Sequence, residues 1–241
     1  MNFGACSDVG LVRRENEDSF YIPSEGDNLK LFLMADGVGG QNHGKLASMM
    51  TIDDIVKFFI KNENEYPDKK ELMAEAIKFA NENVRSFAAK KREFEGMGTT
   101  LVSALIEDNE VVLASAGDSR CYMIRNGIIS QLTVDNSYVQ YLLEKGAISA
   151  NEAKNHPQRN LITKAIGLED SIDAEIEQVE ICSGDILLLC TDGLTTMLSD
   201  EEILHIILKK NGNMQELAEA LVDQAKENGG TDNITAILVE V

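Results

Sequence analysis

Residues 100–132 read TLVSALIEDNEVVLASAGDSRCYMIRNGIISQL, and their punctuation decides the fold class. Apolar runs at 100–107, 111–115, 120–125 and 128–132 carry strand-forming side chains, with Asp108-Asn109 and Asn126-Gly127 between two of the pairs. Such dipeptides tolerate the positive φ that tight hairpins require. A parallel connection needs a dozen or more residues, and these connections are much shorter, so the strands pair antiparallel. Working outward, the same reading predicts strands at 3–8, 19–22 and 29–35 before this block, and at 174–180, 185–190 and 234–241 after it.

Helical periodicity fills the gaps between the strands. The stretches 44–61 and 69–91 predict a neighbouring antiparallel pair, with Leu72, Ala76, Phe79, Val84 and Phe87 at three- and four-residue steps. Two more helices are predicted at 200–209 and 214–227, the last stopped by Gly229-Gly230. Helical blocks between runs of antiparallel strands make an α+β layered fold. The stretch 133–167 departs from the pattern, with a short helix around 138–145 and a polar run from Asn155 to Asn160. It reads either as an excursion bordering a binding site or as an ordinary surface loop.

The chain has 241 residues, 44% hydrophobic and 26% charged, which is enough to bury a full core. Pro23, Pro67 and Pro157 are isolated, and no repeat or linker-like tract interrupts the sequence, so one domain spanning 1–241 is expected. A formal charge of −19 argues against nucleic acid and anionic membrane as partners, because phosphate backbones recruit Lys and Arg. No basic and apolar leader opens the sequence and no run could span a bilayer, so a cytoplasmic location is expected. Cys6, Cys121, Cys182 and Cys190 form no CxxC pair and read as buried structural thiols.

Several aspartates stand immediately after apolar strand segments and beside glycine: Asp36-Gly37, Gly117-Asp118, Asp192-Gly193 and Gly230-Thr231-Asp232-Asn233. One Asp-Gly after a strand is usually a turn. Four in one chain point to a cleft lined with oxygen ligands, and the scarcity of His and Cys there favours Mg²⁺ or Mn²⁺ over zinc, copper or iron. Paired hard cations suit hydrolysis, since they acidify water and clamp the oxygens of an in-line displacement. Arg13-Arg14 precedes Glu15-Asn16-Glu17-Asp18; an arginine fork fits phosphate, although on local sequence alone a solvated charge run is the stronger reading.

In order, Ser7-Asp8-Val9-Gly10 with Arg13 and Asn16-Glu17-Asp18, Ala35-Asp36-Gly37-Val38-Gly39-Gly40, Gly98-Thr99-Thr100, Ala116-Gly117-Asp118-Ser119-Arg120, Cys190-Thr191-Asp192-Gly193-Leu194 and Gly230-Thr231-Asp232-Asn233-Ile234-Thr235 closely resemble the protein phosphatase 2C (PP2C) family, in its compact bacterial form. The resemblance runs nearly end to end. It implies an αββα sandwich, two central antiparallel sheets flanked by helix pairs, and hydrolysis of phosphoserine and phosphothreonine in proteins by a metal-bridging hydroxide without a phosphoenzyme. It implies that Asp36 bridges two ions, that the Gly37 carbonyl, Asp192 and Asp232 complete their protein ligands, and that Asp118 serves a third ion shared with Asp192. Glu17 and Asp18 would hold coordinated waters, Arg13 would grip the substrate phosphate, and 133–167 would be a flap beside the cleft.

The chain departs from its bacterial relatives at Val38 and Gln41, which replace methionine and histidine, and at Asn136, where histidine is common. A histidine general acid is therefore not expected from position 41; His43 would need a different backbone path, His156 reads as a surface residue and His205 as a structural one. By the resemblance, the partners are phosphorylated proteins and a Ser/Thr kinase acting on them, and the expected state is a monomer. A binding-only regulator without turnover and a phosphatase for small phosphomonoesters are the alternatives.

Overall fold

The computed structural model describes residues 1–24, 26–39, 43–209 and 212–241. The chain runs β1 (Asn2–Asp8), β2 (Asp18–Tyr21), β3 (Leu31–Val38), α1 (His43–Asn62), α2 (Lys69–Ala88), β4 (Gly98–Thr99), β5 (Leu101–Glu107), β6 (Glu110–Ala116), β7 (Arg120–Arg125), β8 (Ile128–Gln131), α3 (Tyr138–Glu144), α4 (Ala150–Lys154), β9 (Glu175–Glu180), β10 (Ile186–Cys190), α5 (Asp192–Thr195), α6 (Asp200–Lys209), α7 (Met214–Glu227) and β11 (Ile234–Glu240). One sheet has the order β1-β11-β10-β7-β8; the other has β2-β3-β5-β6-β9, with β4 paired to β3. Every pairing is antiparallel.

Alternation along the strands builds three apolar layers. In β3, Leu31, Leu33 and Ala35 face α1 and α2, while Phe32 and Met34 face the other sheet. In β11, Ile234, Ala236 and Leu238 face α6 and α7, while Ile237 and Val239 face inward. The period of two gives each strand one side chain set for the helices and one for the seam between the sheets. The result is the α+β layering read from the sequence, in the four-layer αββα form that the resemblance implies.

The two hairpins fall where their dipeptides place them, with positive φ at Asp108 (47°) and at Asn126 (53°). Boundaries differ where side chains beyond the element take over. α2 ends at Ala88, three residues before the predicted end, because Phe94 of a 3-10 turn at Arg92–Phe94 folds back onto Phe87 with ring centroids 5.0 Å apart. Segment 133–167 contains α3 as expected and also α4, which Ser149 and Glu152 close with a reciprocal capping box. The segment returns to the second sheet through a bridge between Thr99 and Ile166.

Three single-residue expectations are corrected, at His205, Cys6 and Cys182. His205 is exposed, since α6 turns Ile203 and Ile207 inward. Among the thiols Cys121 and Cys190 are buried, Cys6 is half-buried and Cys182 is exposed. Among the described residues, no helix is long and apolar enough to cross a membrane.

Candidate metal and phosphate site

The inward row of β3 continues past Phe32 and Met34 to Asp36, so the strand's own period aims this carboxylate into the end of the seam. Register places Asp18 of β2 directly across from Asp36. Facing residues on paired strands bring their Cβ atoms within about 5 Å, where two carboxylates repel. Asp36 is thus a residue of β3 itself, not of the turn after it. Asp118 lies in the β6–β7 connection, Asp192 opens α5 two residues after β10, and Asp232 precedes β11 instead of following a strand.

Burial and neighbouring carboxylates act on four of the site's aspartates, Asp18, Asp36, Asp118 and Asp192. Burial comes first in pushing Asp36 well above the usual carboxylate range, followed by the charges of Asp18, Asp192, Asp118 and Asp232. Burial and the charges of Asp192 and Asp135 push Asp118 up to about 8. Burial raises Asp18 to about 7 against hydrogen bonds from Thr235 and Thr191. Asp192 rises to about 6 through burial and Asp232, with relief from a hydrogen bond to Asp36 and from the charges of Arg13 and Arg120. Burial also raises Glu17.

Two glycines bring the carboxylate-bearing backbones this close. A Cβ on Gly37 would lie 2.3 Å from Gly44 backbone atoms, so the first turn of α1 sits directly behind the end of β3. A Cβ on Gly193 would lie 1.9 Å from the carbonyl oxygen of Asn233, which docks the start of α5 on the Asp232 segment. Close approach, more than turn geometry, explains glycine at both positions.

The donor set fits a hard divalent cation. Asp18 Oδ2 accepts from Thr235 Oγ1 at 2.6 Å and from Thr191 Oγ1 at 3.1 Å, whereas its Oδ1 is buried with no hydrogen-bond partner. A buried carboxylate oxygen without a donor, beside other uncompensated carboxylates, is satisfied by a cation or by water bound to one. Among the described residues, no three His, Cys, Asp or Glu side chains lie together in an arrangement that could hold a metal ion. Mg²⁺ does not need three such side chains, as it commonly keeps several waters and takes one or two carboxylates.

Arg13 reaches the cluster from an exposed loop, its Nη2 2.7 Å from Asp232 Oδ2. That loop is held by Asn233, which the sequence reading quoted only as part of a motif. Asn233 Oδ1 accepts from the Glu17 N–H at 2.9 Å, and its Nδ2 donates to the carbonyls of Val9 at 3.0 Å and Glu15 at 2.9 Å. On the other side, Thr100 Oγ1 accepts from the Asp36 N–H at 2.9 Å and Thr99 Oγ1 donates to the Asp36 carbonyl at 2.8 Å. Their signal was visible in Gly98-Thr99-Thr100 and in Asp232-Asn233-Ile234-Thr235; their partners were not.

Asn136, read from the sequence only as a departure, grips the Asp118 connection. Its N–H donates to the Gly117 carbonyl at 2.7 Å, and its Oδ1 accepts from the Gly117 N–H at 3.1 Å. Gln41 lies outside the described residues. His43 stands edge-on to Phe94, with centroids 5.1 Å apart, and His156 lies against Tyr138 at 6.0 Å.

Comparisons with known proteins place the chain in a family. The family model described as protein phosphatase 2C matches residues 13–238. The serine/threonine phosphatase stp of Listeria monocytogenes is 36% identical over 237 residues, covering 97% of this chain and 93% of that protein. The crystal structure of the Mycobacterium tuberculosis serine/threonine phosphatase PstP/Ppp superposes with a TM-score of 0.90 at 34% identity, covering 99% of this chain and 97% of that one. The catalytic domain of PstP in complex with two manganese ions superposes with a TM-score of 0.87 at 33% identity, covering 99% of this chain and 96% of that one. With the motifs in order, the carboxylates gathered at one end of the seam and the match running nearly end to end, this chain belongs to the protein phosphatase 2C family.

Proposed function

We propose that this protein is a metal-dependent serine/threonine protein phosphatase whose phosphate-cleaving site is the aspartate cluster at the end of the inter-sheet seam. The observation that carries the reading is the crowding of Asp18, Asp36, Asp118, Asp192 and Asp232 with one buried oxygen unpartnered. Mutual repulsion of this size is a poor structural device, yet it suits a binding site for two divalent cations. Relatives named as serine/threonine phosphatases, one solved with two manganese ions, support the same activity.

Asp36, Asp192, Asp232 and the Gly37 carbonyl would hold two Mg²⁺ or Mn²⁺ ions, and Asp118 would serve a weaker third. When bound, such ions supply an acidified water as the attacking group and neutralise charge on the phosphoryl oxygens. Glu17 and Asp18 orient water by accepting hydrogen bonds. Arg13 turns its guanidinium to the incoming phosphate, exchanging Asp232 for the ligand, and its exposed position lets it follow the substrate. Asn233 keeps that loop in register with Asp232. A kinase acting on the same substrates is the partner implied.

The test is phosphate release from a phosphothreonine peptide by the wild type and by Asp192→Ala, with EDTA, Mg²⁺ or Mn²⁺. Turnover that needs a metal and is lost in the variant supports the assignment. Folded wild type that turns over nothing with either metal overturns it and favours a binding-only regulator.

A further inference from the structure

Residues 85–92 read RSFAAKKR, four cations and no acid, in a chain of net charge −19. The run spans the end of α2 and the start of the 3-10 turn. Beside it lies an open groove of about 460 Å³ lined by Arg85, Lys91 and Arg92 together with Ala88, Gly96 and Gly167. Small residues leave room for a peptide backbone, and the volume falls in the range of ligand clefts. Glu95 also lines the groove.

The cations that line the groove make surface ion pairs, and Lys91 also lies over the Phe94 ring at 5.6 Å. Lys91 meets Glu93 at 3.1 Å and Arg92 meets Glu95 at 4.0 Å, with Lys91 65% and Arg92 97% exposed. Arg85 pairs with Asp170, itself 96% exposed. Exposed pairs hold their partners weakly, so an incoming carboxylate can exchange with them. The groove is tied to the aspartate site by a short path. Gly96 leads into β4, whose Gly98 and Thr99 pair with Val38 and Gly37, so at most about 10 Å of chain separates Gly96 from Thr99.

We propose that this groove is a docking site for an acidic, Asp- and Glu-rich segment of the protein substrate, lying outside the phosphorylated residue. On a surface whose overall field repels acidic chains, one local cationic groove beside the site sets which phosphoproteins are held. The naming of the partner as a substrate rests on the phosphatase reading; the binding of an acidic segment does not.

Two measurements separate these. Fluorescence anisotropy of a labelled, unphosphorylated Glu/Asp-rich decapeptide is compared for the wild type, Lys91→Gln/Arg92→Gln and Lys91→Glu/Arg92→Glu. Affinity should fall by about fivefold on neutralisation and more than about tenfold on reversal, and should weaken with salt in the wild type. Turnover is then compared for a phosphothreonine peptide with an acidic tail, the same peptide with a Gly-Ser tail, and p-nitrophenyl phosphate. The reversal should lower kcat/KM for the acidic peptide alone. Equal affinity and equal kcat/KM across the variants overturn the proposal, as does a wild type that forms dimers in sedimentation which the reversal dissolves. Loss of p-nitrophenyl phosphate turnover in the wild type would instead count against the phosphatase reading.

Discussion

The seam between the two sheets has a middle and an end built from the same strands. In the middle, Phe32 and Met34 of β3 meet Leu187 and Leu189 of β10 and Ile237 and Val239 of β11, all buried and apolar. One step further along β3 the row reaches Asp36, and across from it stands Asp18. The middle gains stability from every side chain it removes from water, at roughly 1.5–3 kcal/mol for each fully buried large apolar residue. The end opposes folding, because burial and like charge both disfavour the ionised carboxylates. A single strand thus carries a stabilising and a destabilising segment, and the second is tolerated because the first anchors it.

The sharpest way to break this comparison is to remove a charge from the end. Asp36→Asn and Asp192→Ala should each lower phosphatase turnover by at least about 100-fold while raising Tm in EDTA, since the neutral side chain relieves repulsion. A fall in metal-free Tm together with lost activity would show these residues to be structural. Next in size, Asn233→Ala strips three backbone groups of their partner and should cost roughly 2–3 kcal/mol in urea unfolding. It should also raise KM, because the Arg13 loop loses its tether; unchanged KM would separate the loop from phosphate binding.

Titration gives a smaller effect. The folded-state pKa values of Asp192, Asp18 and Asp118 stand at about 6, 7 and 8, above the ordinary 3.8. A carboxyl raised on folding contributes stability that is complete below its unfolded pKa and is lost as pH rises through the folded value. Metal-free protein should therefore lose Tm as pH rises from about 4 to about 8, and saturating Mn²⁺ should restore it most at the upper end. A flat profile in EDTA would deny the crowding. Smallest of all, Lys57→Ala, which removes an exposed 3.5 Å pair with Asp53, should change stability by less than about 0.5 kcal/mol.

What the sequence made legible was local. The hairpins at Asp108-Asn109 and Asn126-Gly127 lie within a few residues of both their strands, so the pattern carried strand and turn together. The aspartates announced themselves through glycine neighbours, although the glycines at 37 and 193 answer to Gly44 and Asn233, distant partners that no local window contains. Asp18 facing Asp36, Asn136 holding Gly117, and Arg13 against Asp232 are all products of register and docking. The 3-10 turn was missed because its cause, Phe94 folding onto Phe87, is a tertiary contact without a periodic signal.

The placement of β1 beside β11 bears on the order in which the molecule assembles. The Arg13 to Asp232 bond closes a separation of 219 residues, and Asn233 ties the early loop to the same late strand. During synthesis the sheet carrying β3, β5 and β6 can collapse on α1 and α2 well before β11 emerges, while the loop bearing Arg13 waits for its anchor. Loop closure over such a span is slow compared with a hairpin. A nascent chain therefore carries a folded scaffold before it carries a finished site, and the capacity to act on phosphate arrives last.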